Sequence, residues 1–269
     1  MRRSGGDVLR YLRLLAVQFR ASAMLAMQYR VEFFGEVLIA LFWVGWSLVP
    51  ILVVFGHRDG VAGWSYEEAL VVLGWFSLVK GILEGAVNPS LNTVVEHIRK
   101  GTLDFVLLKP ADAQFLVSTA RFKPARLADV LGAFAIFAVA FHRLGRTPEP
   151  AHVAASVALL AVAALTLYSL WILVIAAAFY VVRVDNLSYL FSSIFDAARW
   201  PASVFSGFWR ILFTFVVPLA LMTTYPALAL LGHLSATTAL AALAGALLFA
   251  TFARVVWTRS IGHYTSASS

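Results

Sequence analysis

The sequence predicts an all-α polytopic membrane protein: an N-terminal interfacial helix, six transmembrane helices, and a re-entrant helical hairpin before the last span. Three observations carry that prediction. The 269 residues are 61% hydrophobic and only 13% charged, with a mean hydropathy of +0.84; soluble domains carry about 25% charged residues. The apolar residues gather in runs of about 20, the length that crosses a hydrocarbon core of ~30 Å. The basic residues concentrate in alternate connecting segments, as the positive-inside rule requires. That rule also accounts for the net charge of +7. No basic-aromatic module accompanies the charge, so nucleic acid is not an expected partner. The chain has no cysteine, which excludes disulfides, thiolate metal sites and cysteine nucleophiles.

Residues 1–30 read as an N-terminal tail and an interfacial amphipathic helix. In 7–30, Val8, Leu12, Leu15 and Phe19 share one helical face, while Arg10, Arg13 and Arg20 fall on another. Six arginines and no compact apolar core argue against a cleavable signal. Residues 31–259 form a single transmembrane domain. Span one is 33–55, with Trp43, Trp46 and a kink candidate at Pro50. A polar, Gly-rich loop, 57–68, follows. Span two is 69–88 and contains Lys80 and Glu84, four residues apart and on one face. Intramembrane ionisable groups are costly and should face protein or water. Asn88-Pro89-Ser90 reads as the end of this helix.

The loop 92–109 has a short helical pattern. Val94, Val95 and Ile98 make an apolar face, Glu96, Arg99 and Lys100 a polar one, and Gly101 stands where a helix C-cap glycine would. The apolar run from Leu103 to Leu108 is too short to cross a membrane. Span three, 126–141, is short, and Phe115–Ala120 is expected to extend its helix. Span four is 153–182, long enough to tilt or project. A tight turn holds Arg183, Asp185 and Asn186; Asn186-Leu187-Ser188 there fits a glycosylation sequon by chance. Span five, 187–205, is interrupted near its end by Asp196, Arg199, Trp200 and Pro201. The apolar segment 208–226 is broken by Arg210, Pro218 and Pro226. The last span is 236–257, and 260–269 is a polar tail.

Charge decides between six and seven crossings. If 208–226 dips in and returns, both termini are cytoplasmic and fifteen of the 21 Lys and Arg lie on that side. If it spans, Arg254 and Arg259 move outside. The six-crossing arrangement is therefore expected, with 208–226 packed on protein or lining water. Among these placements, Trp75, Lys80, Glu84, Asp196, Arg199 and Arg210 are the candidates to line or gate a pathway.

Chemical motifs are absent. No phosphate-binding G-x-x-x-x-G-K-[ST] loop, H-E-x-x-H or G-x-S-x-G occurs. The six histidines lack ligand spacing, so no metal site is expected. Glu84, Asp129 and Asp196 do not pair as hydrolytic carboxylates would. The chain reads as a non-enzyme.

The run Ile98-Arg99-Lys100-Gly101-Thr102-Leu103-Asp104-Phe105-Val106-Leu107-Leu108-Lys109-Pro110 resembles the signature of type-2 ABC transporter permeases, in the subgroup of short six-span chains. A second likeness runs from Asp196, Arg199, Pro201 and Phe205 through Trp209-Arg210 to Pro218-Leu219-Ala220 and Tyr225-Pro226-Ala227. It resembles the family's re-entrant helices and departs from them at Ser206-Gly207, where a proline is expected. The resemblance implies an inner (plasma) membrane exporter subunit working as a homo- or heterodimer of permeases, each dimer docking two cytosolic ABC ATPases. ATP and Mg would be bound by those partners, and no cofactor by this chain. It further implies that Asn92–Lys100 is the coupling helix, that Val94, Val95 and Ile98 fill an ATPase groove, that Glu96, Arg99 and Lys100 form its charged rim, and that Gly101 ends it. The competing expectation is a standalone channel or secondary transporter; the internal repeat common in that class is not evident here.

Overall fold

A computed structural model describes residues 5–180, 192–213 and 217–262. Arg2, Arg3, the Arg183–Asn186 turn with its sequon, the first part of span five and most of the polar tail lie outside the described residues. Among those described, the chain is helical, and five helices are long and apolar enough to cross a membrane: 30–55, 66–100, 124–144, 150–176 and 236–261.

Helix α1, Gly5–Gln28, meets α2, Arg30–Phe55, at a break around Tyr29. α2 is apolar all round and mostly exposed in the single chain, as a lipid- or partner-facing span should be. A tight turn, Val61–Trp64, follows, with Ala62 and Gly63 both at positive φ. Ser65 then caps α3, Tyr66–Ile82: its hydroxyl accepts from the Glu68 N–H, and the Glu68 carboxylate accepts from the Ser65 N–H. This is a capping box, which satisfies two orphan donors at once.

α3 is the most buried span and the centre of the fold. It packs along α7, Leu127–Leu144, which opens with a 3-10 turn at Pro124–Arg126. The two approach so closely at Gly74 that a Cβ there would sit 2.5 Å from the Phe137 ring. Only glycine fits that contact without moving Phe137. α8, Pro150–Ala176, packs on the other side against the last span, Ala236–Ile261.

Asn88-Pro89-Ser90 does not end span two, contrary to expectation. The helix widens into a π turn at Leu83–Val87 and continues as α4, Asn88–Lys100. Proline breaks a helix by removing an N–H and orphaning the carbonyl four residues back. Here that carbonyl is Gly85 O, and it accepts the Lys123 backbone N–H at 2.8 Å. With the acceptor satisfied and the π turn absorbing the ring, the helix runs on for 35 residues, roughly 52 Å at 1.5 Å per residue. The first ~20 residues, to Gly85, match a hydrocarbon core of ~30 Å. The remainder, α4, projects beyond it.

Two further expectations change. Phe115–Ala120 does not extend span three: after a single helical turn, α5 (Asp104–Leu107), Ala113–Ser118 is a separate short helix, α6, capped by Asp112 and packed on α4. Pro226 does not break its segment: Tyr225–Leu230 is helical through it, and a π turn just before it accommodates the lost N–H, as at Pro89. That π turn, Ala220–Thr224, joins it, giving an apolar helix from 220 to 230. In span five, residues 192–205 show one helical turn and short 3-10 turns at Asp196–Arg199 and Ala202–Val204. The helix Gly207–Ile211 begins the 208–226 segment, of which 214–216 lie outside the described residues.

Candidate functional site

The end of α4 is built to stop abruptly. Gly101 adopts φ 65°, ψ 25°. The Thr102 N–H reaches His97 O at 2.9 Å and the Gly101 N–H reaches Ile98 O at 3.2 Å. That is a Schellman motif, which needs a left-handed residue and so favours glycine. The expected helix end is therefore in place.

The face assigned to a partner is not. Val94 and Val95 are 1% and 6% exposed, buried within the chain's own core, and Ile98 packs against that core. The reason lies in what surrounds α4: α6 and α8 cover the side where Leu91, Val94 and Val95 point. Ser90 fastens the base of that side, donating to Arg121 O at 2.6 Å and accepting from the Arg121 N–H at 3.1 Å. The outward face is polar: Asn92, Glu96, Arg99 and Lys100. Glu96 pairs with Lys100 one turn on; this hydrogen bond and the ammonium charge hold its carboxyl below the usual range. Just past Gly101, Phe105 is 70% and Leu108 82% exposed. These two side chains are the apolar surface of the loop. The sequence offered them only as part of a short apolar run.

A polar clasp secures the loop where it returns to the membrane. Arg254, in the last span, forks onto both Asp112 carboxylate oxygens at 2.6 and 3.2 Å and also donates to Gln114. The Gln114 amide donates to the Tyr168 hydroxyl of α8 at 2.8 Å, and Ser118 meets the same hydroxyl at 2.7 Å. The Asp112 N–H donates to the Tyr11 hydroxyl of α1 at 3.0 Å, and Arg10 donates to Pro110 O. Burial alone would raise the Asp112 carboxyl. Arg254 and the Phe115 and Gln114 N–H groups outweigh that and bring it below the usual range. Arg254 read in the sequence as a boundary charge; partners 142 residues away left no local signal.

The pathway candidates separate into four places. Lys80 and Arg199 both lie against the Phe76 ring, at 5.7 and 5.5 Å from its centroid, and Phe195 stacks on that ring at 5.4 Å. Arg199 pairs with Asp196 at 3.2 Å. The structure thus brings Lys80, Asp196 and Arg199 together beside α3. Glu84 stands apart and accepts from the Asn88 amide at 2.8 Å. Trp75 faces the opposite way, buried edge-on to Phe137. Arg210 lines a cavity of about 670 Å³ at the end away from α4, with Glu68, His233, Trp64 and Tyr225. A buried group that sequence reasoning did not select is Asp129, 1% exposed and 3.5 Å from Arg126. Among the described residues, no group of His, Cys, Asp and Glu could hold a metal ion.

No curated protein and no solved structure matches the chain. A family model described as ABC-2 family transporter protein matches residues 41–268. That stretch takes in the second half of α2, the projecting helix with its glycine stop, the Arg254–Asp112 clasp and the last span. The chain is a multi-pass membrane protein and a transport permease belonging to the ABC-2 transporter family.

Proposed function

We propose that the chain is the transmembrane subunit of an ATP-driven exporter, and that a separate cytosolic ABC ATPase drives it through α4 and the loop to Lys109. The observation that carries this reading is the single helix from Tyr66 to Lys100. It joins the most buried span to a projecting end with a polar outward face, and the loop just past its Gly101 stop exposes Phe105 and Leu108. Force applied at Lys100 reaches the core of the bundle without crossing a flexible joint. The ATPase surface would meet Asn92, Glu96, Arg99 and Lys100, with Phe105 and Leu108 as anchors. An interface of this kind needs apolar anchors inside a polar rim. Val94, Val95, Ile98 and Gly101 then act from inside, holding the helix to α6 and α8 and ending it.

The reading includes six crossings in the inner membrane, cytoplasmic termini, 208–226 as a re-entrant segment at the outer end, and a dimer of permeases. ATP and Mg belong to the partner. Lys80, Asp196 and Arg199 about Phe76 are the best-supported pathway group. The reading is tested by co-purification with an ABC ATPase encoded beside the chain. Phe105→Ser with Leu108→Ser should abolish the complex while the permease stays folded; retention of the complex would remove these residues from the interface. A cytoplasm-only reporter fused after Ser269 should be active, and an inactive one would overturn the six-crossing arrangement.

A further inference from the structure

A second cavity, about 410 Å³, lies where α1, the start of α2 and the segment 121–125 converge. Its walls are of three kinds. Leu25, Phe33 and Phe122 are apolar, Arg121 and Lys123 are cationic, and Glu32 and Glu36 are anionic. Lys123 and Glu36 already pair at 2.7 Å. Arg121 and Glu32 line the same cavity as that pair, and both are exposed. The cavity sits at the depth of the Gly85–Lys123 backbone contact, where the membrane-crossing part of the long helix ends. The Phe122 N–H donates to Ser22 of α1 at 3.1 Å, which fixes the amphipathic helix as one wall.

We infer that this cavity is a headgroup site for a phospholipid bearing a primary ammonium, of the phosphatidylethanolamine type. The phosphate would take Arg121 and the Lys123 side, and the ammonium would take Glu32 and the Glu36 side. The first acyl carbons would follow Leu25, Phe33 and Phe122 into the bilayer. Depth, mixed charge and apolar walls together favour this ligand. An anionic headgroup would meet two carboxylates, and a choline headgroup has no N–H to donate to them. A soluble phosphoethanolamine would leave the apolar wall unused. The site touches Pro89 and Lys123, so a bound lipid would rest on the joint between the span and α4. This inference rests on the membrane-level placement but not on the ATPase reading, because the permease alone should bind.

The test is native mass spectrometry of the purified permease, without ATPase, in mixed micelles of synthetic phosphatidylethanolamine, phosphatidylcholine and phosphatidylglycerol. The wild type should retain phosphatidylethanolamine about tenfold over the other two, the size of one charge-assisted hydrogen bond. Arg121→Gln should lose that retention. Glu32→Gln should bind phosphatidylethanolamine and phosphatidylcholine equally. Both sites are exposed, and unchanged melting temperatures would show that the variants are folded. Glycerophosphoethanolamine should not displace the lipid; displacement would make the ligand a soluble compound and overturn the assignment. Equal retention of all three lipids by the wild type, or wild-type selectivity in Arg121→Gln, would also overturn it.

Discussion

Replacing Asp112 tests how firmly the projecting loop is tied to the membrane bundle. Asp112 does two jobs: it caps α6 through the Phe115 N–H at 3.0 Å, and it receives the forked Arg254. Loss of an Asp cap costs ~1 kcal/mol. The ion pair is 47% and 37% exposed, so solvent screens it; we take ~1–2 kcal/mol for its loss rather than the larger cost of a buried pair. Asp112→Ala should therefore destabilise by about 2–3 kcal/mol. Asp112→Asn keeps a capping oxygen and loses only the charge, about 1 kcal/mol. At ~2–4 °C per kcal/mol, the melting temperature in detergent should fall by about 5–10 °C and 2–4 °C respectively. A double-mutant cycle with Arg254→Gln should show a coupling of about 1 kcal/mol. Additive single effects, or an Asn variant as unstable as the Ala variant, would refute the clasp. The pH dependence has a definite sign. The native Asp112 carboxyl titrates below its unfolded value of ~3.9, so its contribution is present above that pH and is lost as pH falls further. Wild-type melting should drop more than that of Asp112→Asn as pH falls below about 4.

Three other outcomes follow from the packing. Gly74→Val should destabilise by about 1–3 kcal/mol, because its Cβ would meet the Phe137 ring at 2.5 Å; Phe137→Ala in the same chain should recover part of the loss, measured by thermal melting. Gly101→Ala should cost about 1 kcal/mol by forcing an L side chain to φ 65°, and Gly101→Asn should cost less, again by melting. Val94→Asp should unfold or misassemble the permease itself, since it places a charge at a position 1% exposed; size-exclusion profiles would show this before any partner is added.

Much of this architecture was legible from composition and period. The long apolar runs correspond to five of the six expected spans, and Gly101 marks the end of the helix before the loop. Pro89 was misleading because its cost depends on Gly85 O, and that carbonyl finds its donor 38 residues away at Lys123. Val94 and Val95 were misread for a related reason. An amphipathic pattern shows that a face is buried, but not whether the chain or a partner buries it. α6 and α8 take that face here, and the exposed apolar pair, Phe105 and Leu108, lay in a run too short to show a period. The clasp among Arg254, Asp112, Gln114 and Tyr168 joins residues with no common spacing. It becomes visible only when the last span and α8 are placed side by side.

The central claim is that a partner ATPase grips the outward face of the α4 end rather than its valine face. The direct measurement is pull-down of the ATPase by permease variants already shown to be monodisperse. Phe105→Ser/Leu108→Ser and Arg99→Glu/Lys100→Glu should lose the ATPase without loss of permease, whereas the conservative Val94→Ala, Val95→Ala pair should retain it. Loss of the ATPase from a folded Val94→Ala, Val95→Ala protein, with retention by the outward-face variants, would contradict the account.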